Sequence, residues 1–168
     1  GRGMVAVNVM VALSDYEEHV RQAVKSGVDA VISGAGLPLK LPEYVNENTS
    51  IAPIVSSGKA ARLILNKWKR NYGRTADFIV IEGSEAGGHL GFKKEDLLEH
   101  TCASLKEILR DVKEVIKVFE EHFKHPIPVF VAGGIYTNED IKEMLEAGAD
   151  GVQMGTRFIG TYECDASL

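Results

Sequence analysis

The chain has 168 residues, 45% hydrophobic and 26% charged, which is enough for a single domain (1–168) with a substantial core. A net charge of -5 argues against a general nucleic-acid binder, which carries a basic face. Cys102 and Cys164 match no metal spacing, no run of about 18 apolar residues exists to span a membrane, and no signal peptide opens the chain, so the expected compartment is the cytoplasm.

Residues 4–13, MVAVNVMVAL, are almost continuously apolar, the pattern of a strand buried on both faces of a parallel sheet. Asn8 interrupts the run. A buried amide without a partner costs about 1–3 kcal/mol, so either a neighbouring backbone or a ligand should pair with it. Ser14-Asp15 can cap a helix carrying Val20, Ala23 and Val24, which stops at Gly27. Residues 29–33 read as the next strand, closed by Gly34-Ala35-Gly36. A short helix is expected over Leu41–Asn46, with Pro42 near its first position. SIAPIVS at 50–56 reads as a strand in which Pro53 is an irregularity. A helix over Ala60–Arg70 should pack Trp68 on the core. Lys59 is either a solvated cation or a partner for a phosphate or a reduced cofactor.

The stretch 77–91, DFIVIEGSEAGGHLG, organises the rest. Its apolar run makes one buried strand, the small residues Gly83 to Gly88 make a turn, and His89 then offers a group that titrates near neutrality. Residues 93–124 carry apolar side chains at helical spacing among many charges, one or two amphipathic helices with His100, His122 and His125 on the surface. IPVFVAGGI restarts the sheet and ends in Gly133-Gly134. Thr137 caps a helix over Asn138–Ala147, and a last strand leads into Gly155-Thr156-Arg157.

AVKSGVDAVISGAG at 23–36 and MLEAGADGVQMGTR at 144–157 repeat one helix–Gly–Asp–strand–Gly unit. Strands near 4–11, 29–33, 50–56, 77–82, 127–132 and 150–154 alternate with helices, which predicts a parallel sheet. Six units make most of an eight-unit barrel, and an open six-stranded sheet is the competing architecture. In either, the carboxyl ends of the strands share one rim, where ligands sit. Gly133-Gly134 and Gly155-Thr156, turns in consecutive units, suit an anion cradle of backbone N–H groups, with Thr156 adding a hydroxyl and Arg157 a charge. His89 would stand across the rim as an acid/base or as a backbone-paired structural histidine. No metal-ligand cluster is visible, and redox chemistry would need a bound cofactor.

EGSEAGGHLG at 82–91, VAGGIYTNEDIKEMLEAGADGVQMGTRF at 131–158 and VNVMV at 7–11 together resemble the nitronate monooxygenase (2-nitropropane dioxygenase) family over almost the whole chain. The FMN-dependent enoyl-acyl-carrier-protein reductases of the same superfamily are similar to it nearly as well. The resemblance implies a TIM-type (β/α)8 barrel with FMN at its carboxyl end, and a chain lacking one or two amino-terminal β/α units. It implies that Asn8, Glu82 and Gly87 border the flavin, that Gly133-Gly134 and Gln153-Met154-Gly155-Thr156 hold its phosphate region, and that His89 is the catalytic histidine. The implied reaction is oxidation of alkyl nitronates with O2 to a carbonyl compound and nitrite. The alternative is an FMN- and NAD(P)H-dependent enoyl or quinone reductase. The expected partners are a small-molecule substrate and a second copy in a homodimer, with neither nucleic acid nor membrane. Position 82 is Glu where many monooxygenase-like members carry Gln, a departure towards the reductase side. Two readings of other classes stand beside these: a flavin-free phosphate-binding barrel doing lyase or isomerase chemistry, and an inactive fragment.

Overall fold

Apolar runs bounded by glycines and separated by amphipathic helices should stack as successive β/α units, and they do. The computed structural model describes residues 3–88, 91, 92, 94–99 and 101–165. Among these residues the strands are β1 (Ala6–Met10), β2 (Ala30–Gly34), β3 (Ser50–Val55), β4 (Ile79–Glu82), β5 (Val129–Ala132) and β6 (Gly151–Gln153). The helices are α1 (Tyr16–Lys25), α2 (Leu41–Tyr44), α3 (Gly58–Tyr72), α4 (Lys94–Leu98), α5 (Leu105–Phe123), α6 (Asn138–Glu146) and α7 (Thr156–Ile159). All strand pairs are parallel, and the order across the sheet is β1-β2-β3-β4-β5-β6. A doubly wound sheet would reverse its order at a switch point. This order never reverses, so the units follow one another as in a β/α barrel.

The strands are one or two residues shorter at most ends than the apolar runs suggest, because side chains take over some of the terminal pairing. Asp29, Asp77 and Asp150 each precede a strand and reach back to the strand before it. Their carboxylates accept from the N–H groups of Val5, Ile51 and Val129, each at 2.8 Å. Their own N–H groups donate to the carbonyls of the same three residues. The glycine–aspartate unit seen twice in the sequence is therefore a register clamp, and Asp77 is a third copy without the preceding glycine. Pro53 lies inside β3 opposite Ser33, and the ladder from β3 to β4 begins one residue later at Ile54.

The outer face of the sheet supplies Val31, Ile51, Ile79, Ile81, Val129 and Val131 to the core. Helix α3 covers it with Ile64, Leu65 and Trp68, and α5 with Ile108, Leu109, Val112 and Ile116. Trp68 is fully buried and donates its indole N–H to the Pro38 carbonyl at 2.9 Å, tying α3 to the turn after β2. Cap chemistry sets the helix starts: Ser57 for α3, and reciprocal capping boxes Ser104/Glu107 for α5 and Thr137/Asp140 for α6. Asp15 precedes α1 without a side-chain cap bond, unlike the expected Ser-Asp cap.

The inner face is different. Ala6, Ile32, Phe78, Val80 and Phe130 line an open apolar cavity of ≈ 560 Å³ that Met154 and Phe158 also reach. Phe78 and Phe130 meet edge to face at 5.6 Å. Gly151 makes room for this pair, since a Cβ there would lie 2.6 Å from the Phe130 ring.

Candidate functional site

Parallel strands bring all their carboxyl ends to one rim, so the turns after β4, β5 and β6 must converge there. Glu82, Glu85, Gly87, Gly133, Gly134, Gln153, Met154, Gly155, Thr156 and Arg157 line a single cavity of ≈ 530 Å³. Every cofactor-binding candidate except Asn8 is in that group. Asn8 lies on the same concave face as Ile32, its partner in the β1–β2 register, but exposed and away from this cavity. His89 lies outside the described residues.

The glycines of the cavity are there for two separate reasons. Gly133 and Gly134 adopt φ of +102° and +71°, and the central loop rests directly on them. A Cβ on Gly133 would lie 2.9 Å from the Ala86 nitrogen, and one on Gly134 would meet the Glu85 carboxylate. The glycine pair thus admits the 83–88 loop, a role that Glu85 and Ala86 share and the sequence reading did not assign. Gly155 is the opposite case. Its φ of -123° suits any residue, and a Cβ there would meet nothing within 4 Å. Gly155 lines the cavity, and a side chain there would extend into open space. The first N–H groups of a helix have no intrahelical acceptor, and here they adjoin the Thr156 hydroxyl and Arg157. Glycine-sized access, orphan donors, a hydroxyl and a guanidinium form a set that can hold a phosphoryl group.

A second cavity of ≈ 350 Å³ adjoins, lined by Ala35, Gly36, Leu37, Ile54, Ser56, Glu82 and Gly91 among others. Gly36 sits at φ +132° against the Val11 side chain, and Ser56 donates to the Gly91 carbonyl at 3.1 Å. Glu82 ends β4 between the two cavities, half-buried, and burial pushes its carboxyl above the ordinary carboxylate range. Lys59 is exposed on the first turn of α3 and lines neither cavity. His122 and His125 are exposed, as expected, and His100 is outside the described residues. Cys102 and Cys164 are free and partly buried. Among the described residues there is no group of His, Cys, Asp and Glu that could hold a metal, and no helix long and apolar enough to cross a membrane.

A sequential parallel sheet with glycine turns converging at its carboxyl edge is the architecture of a β/α barrel, the class of fold in which ligands sit at that edge. The nitronate monooxygenase family model matches residues 2–168, and the chain belongs to that family, a family of FMN-dependent enzymes. It is 33% identical over 152 residues to a probable nitronate monooxygenase of Staphylococcus aureus, covering 90% of this chain and 39% of that protein. A probable nitronate monooxygenase of Staphylococcus saprophyticus is 27% identical over 158 residues, with 94% and 41% covered. The chain therefore spans about two fifths of the length of these relatives. Among solved structures, FabK from Thermotoga maritima superposes with a TM-score of 0.75 at 28% identity, over 96% of this chain and 44% of that one. A mandelate oxidase solved with an FMN adduct matches at a TM-score of 0.54 and 14% identity, over 89% and 45%, which shares the fold alone.

Proposed function

We propose that this chain forms the phosphate-binding side of an FMN-dependent oxidoreductase that oxidises alkyl nitronates with O2 to a carbonyl compound and nitrite. The observation that carries the reading is the convergence of Glu82, Gly87, Gln153 and Thr156 on one cavity that is also lined by Gly155, where nothing lies within 4 Å of a Cβ position. FMN, when bound, supplies the electron acceptor for the nitronate and the route to O2 that the side chains lack. Gly155, Thr156 and Arg157 would hold its phosphate. Gln153 and Met154, at the end of β6, would help to hold the same region, and Gly87 would border the flavin.

The protein's own task is to bind, orient and manage one proton. His89, seven residues after Glu82 in the central motif, is the residue proposed to orient the substrate or accept its proton. The apolar inner face, with Ile32, Val80 and Phe130, would exclude water beneath the reacting groups. The competing reading is an NAD(P)H-dependent enoyl or quinone reductase. The likeness to FabK and the carboxylate at position 82 support it.

Anaerobic stopped-flow absorbance of the full-length, flavin-loaded protein separates the two. Rapid flavin reduction by a nitronate alone supports the oxidation. Reduction by NADH or NADPH but not by the nitronate assigns the reductase.

A further inference from the structure

The two rim cavities divide their charges unevenly. The ≈ 530 Å³ cavity has Arg157 beside Thr156 at its phosphate end and Glu85 against Gly134. The ≈ 350 Å³ cavity is lined by small and apolar side chains, with the hydroxyls of Ser56 and Ser57. Among the described residues Glu82 lines both cavities and is the charged side chain of the second. It has no ion-pair partner among those residues, and the exposed Lys59 lines neither cavity.

We propose that Glu82 sets the charge preference of this site, disfavouring anionic small molecules where the two cavities meet and leaving neutral ones unopposed. The proposal rests on the flavin reading above and adds to it a specificity determinant. The physics is Coulombic. A carboxylate about 5–6 Å from a bound anion, in surroundings of effective dielectric near 20, opposes binding by at least about tenfold. The opposition survives salt better than a surface charge would, because Glu82 is half-buried. With Glu82 ionised, a nitronate, an anion, feels it; an enoyl thioester, a quinone or a neutral nitroalkane does not. Glu82 thus weakens the hold on a nitronate without barring it, and leaves neutral substrates unopposed on the same scaffold.

The test uses the full-length protein loaded with FMN, and Glu82→Gln, which keeps the shape and removes the charge. Sulfite, a small anion, is titrated while the flavin absorbance band is followed. Glu121→Gln, an exposed position on α5, removes the same net charge far from the site. Glu82→Gln should bind sulfite at least about tenfold more tightly and lower the KM for a nitronate by a similar factor, with FMN affinity within about threefold of wild type. Glu121→Gln should match wild type. Sulfite affinity unchanged by Glu82→Gln, or raised equally by Glu121→Gln, overturns the proposal. Wild-type protein that binds FMN and sulfite but is not reduced by nitronate overturns the nitronate reaction and leaves the charge effect to be read from the sulfite titration. Wild-type protein that binds no FMN overturns both.

Discussion

Two glycines that line one cavity should fail in opposite ways when they are replaced. Gly155 has a negative φ of -123° and open space where a Cβ would go. Gly155→Val should therefore leave folding stability within about 0.5 kcal/mol, as for a substitution that meets nothing. Its two methyl groups would project into the ≈ 530 Å³ cavity at the phosphate end and should weaken FMN binding at least tenfold, or about 1.4 kcal/mol. Gly134 has φ +71°, and a Cβ there would meet the Glu85 carboxylate. Gly134→Ala pays the left-handed backbone penalty of roughly 1–2 kcal/mol, plus the displacement of a flexible side-chain tip. For a chain of this size that is a fall in Tm of about 2–8 °C. Thermal unfolding of the FMN-free proteins gives the first comparison, and quenching of FMN fluorescence gives the second. Gly155→Val with wild-type FMN affinity would refute the assignment of that space to the phosphate, however stable the variant.

The remaining expectations concern the clamp, the core and the proton. Asp150→Ala should cost about 1–3 kcal/mol, because it strands the buried Val129 N–H, and chemical denaturation would show it. Burial alone would raise the Asp150 carboxyl, but its bonds to Lys113 and Val129 overcome that and hold it below the ordinary range. A depressed carboxylate contributes stability that is present above its unfolded-state pKa and lost as pH falls through the folded-state value, so acid unfolding of Asp150→Ala should begin from a lower plateau and show a shallower loss below about pH 4. Tyr16 is the alkaline counterpart: burial pushes its hydroxyl to about 12 while Ser33 holds it at 2.8 Å. Its contribution is present below about pH 10 and lost as pH rises towards 12, and Tyr16→Phe should remove that part of the alkaline transition in a pH–stability series. Trp68→Phe should cost roughly 1–3 kcal/mol, since it leaves the Pro38 carbonyl without its buried donor; an unchanged midpoint in urea would contradict this. His89→Asn should cut turnover by about 100-fold or more while FMN stays bound, and loss of FMN in that variant would contradict its proposed role.

The units themselves were legible because each helix and strand carries its own punctuation. Thr137 and Gly148 bound α6, and the paired segments at 23–36 and 144–157 announce a repeat. Long-range register was not legible, because Asp29, Asp77 and Asp150 do their work across the strand gap, and only two of them sit in a recognisable glycine–aspartate pair. The candidate site was readable as a set, since rim residues follow from strand ends once the strands are parallel. The reason for each glycine was not. Gly133 and Gly134 looked like a cradle in one dimension, and only the fold shows the central loop lying on them. Asn8 had the same ambiguity: an amide in an apolar run signals a partner, but it cannot say that the residue lies on an exposed stretch of the inner face.

Comparing FMN with riboflavin, which lacks only the phosphate, tests the central claim most directly. Fluorescence titration of the full-length protein with each should give an FMN Kd at least about 100-fold below that of riboflavin, the weight of roughly 2.7 kcal/mol for charge-assisted bonds at Gly155, Thr156 and Arg157. Equal affinities for the two would mean that the cavity after β6 does not hold the phosphate, and the flavin site built on it would fall.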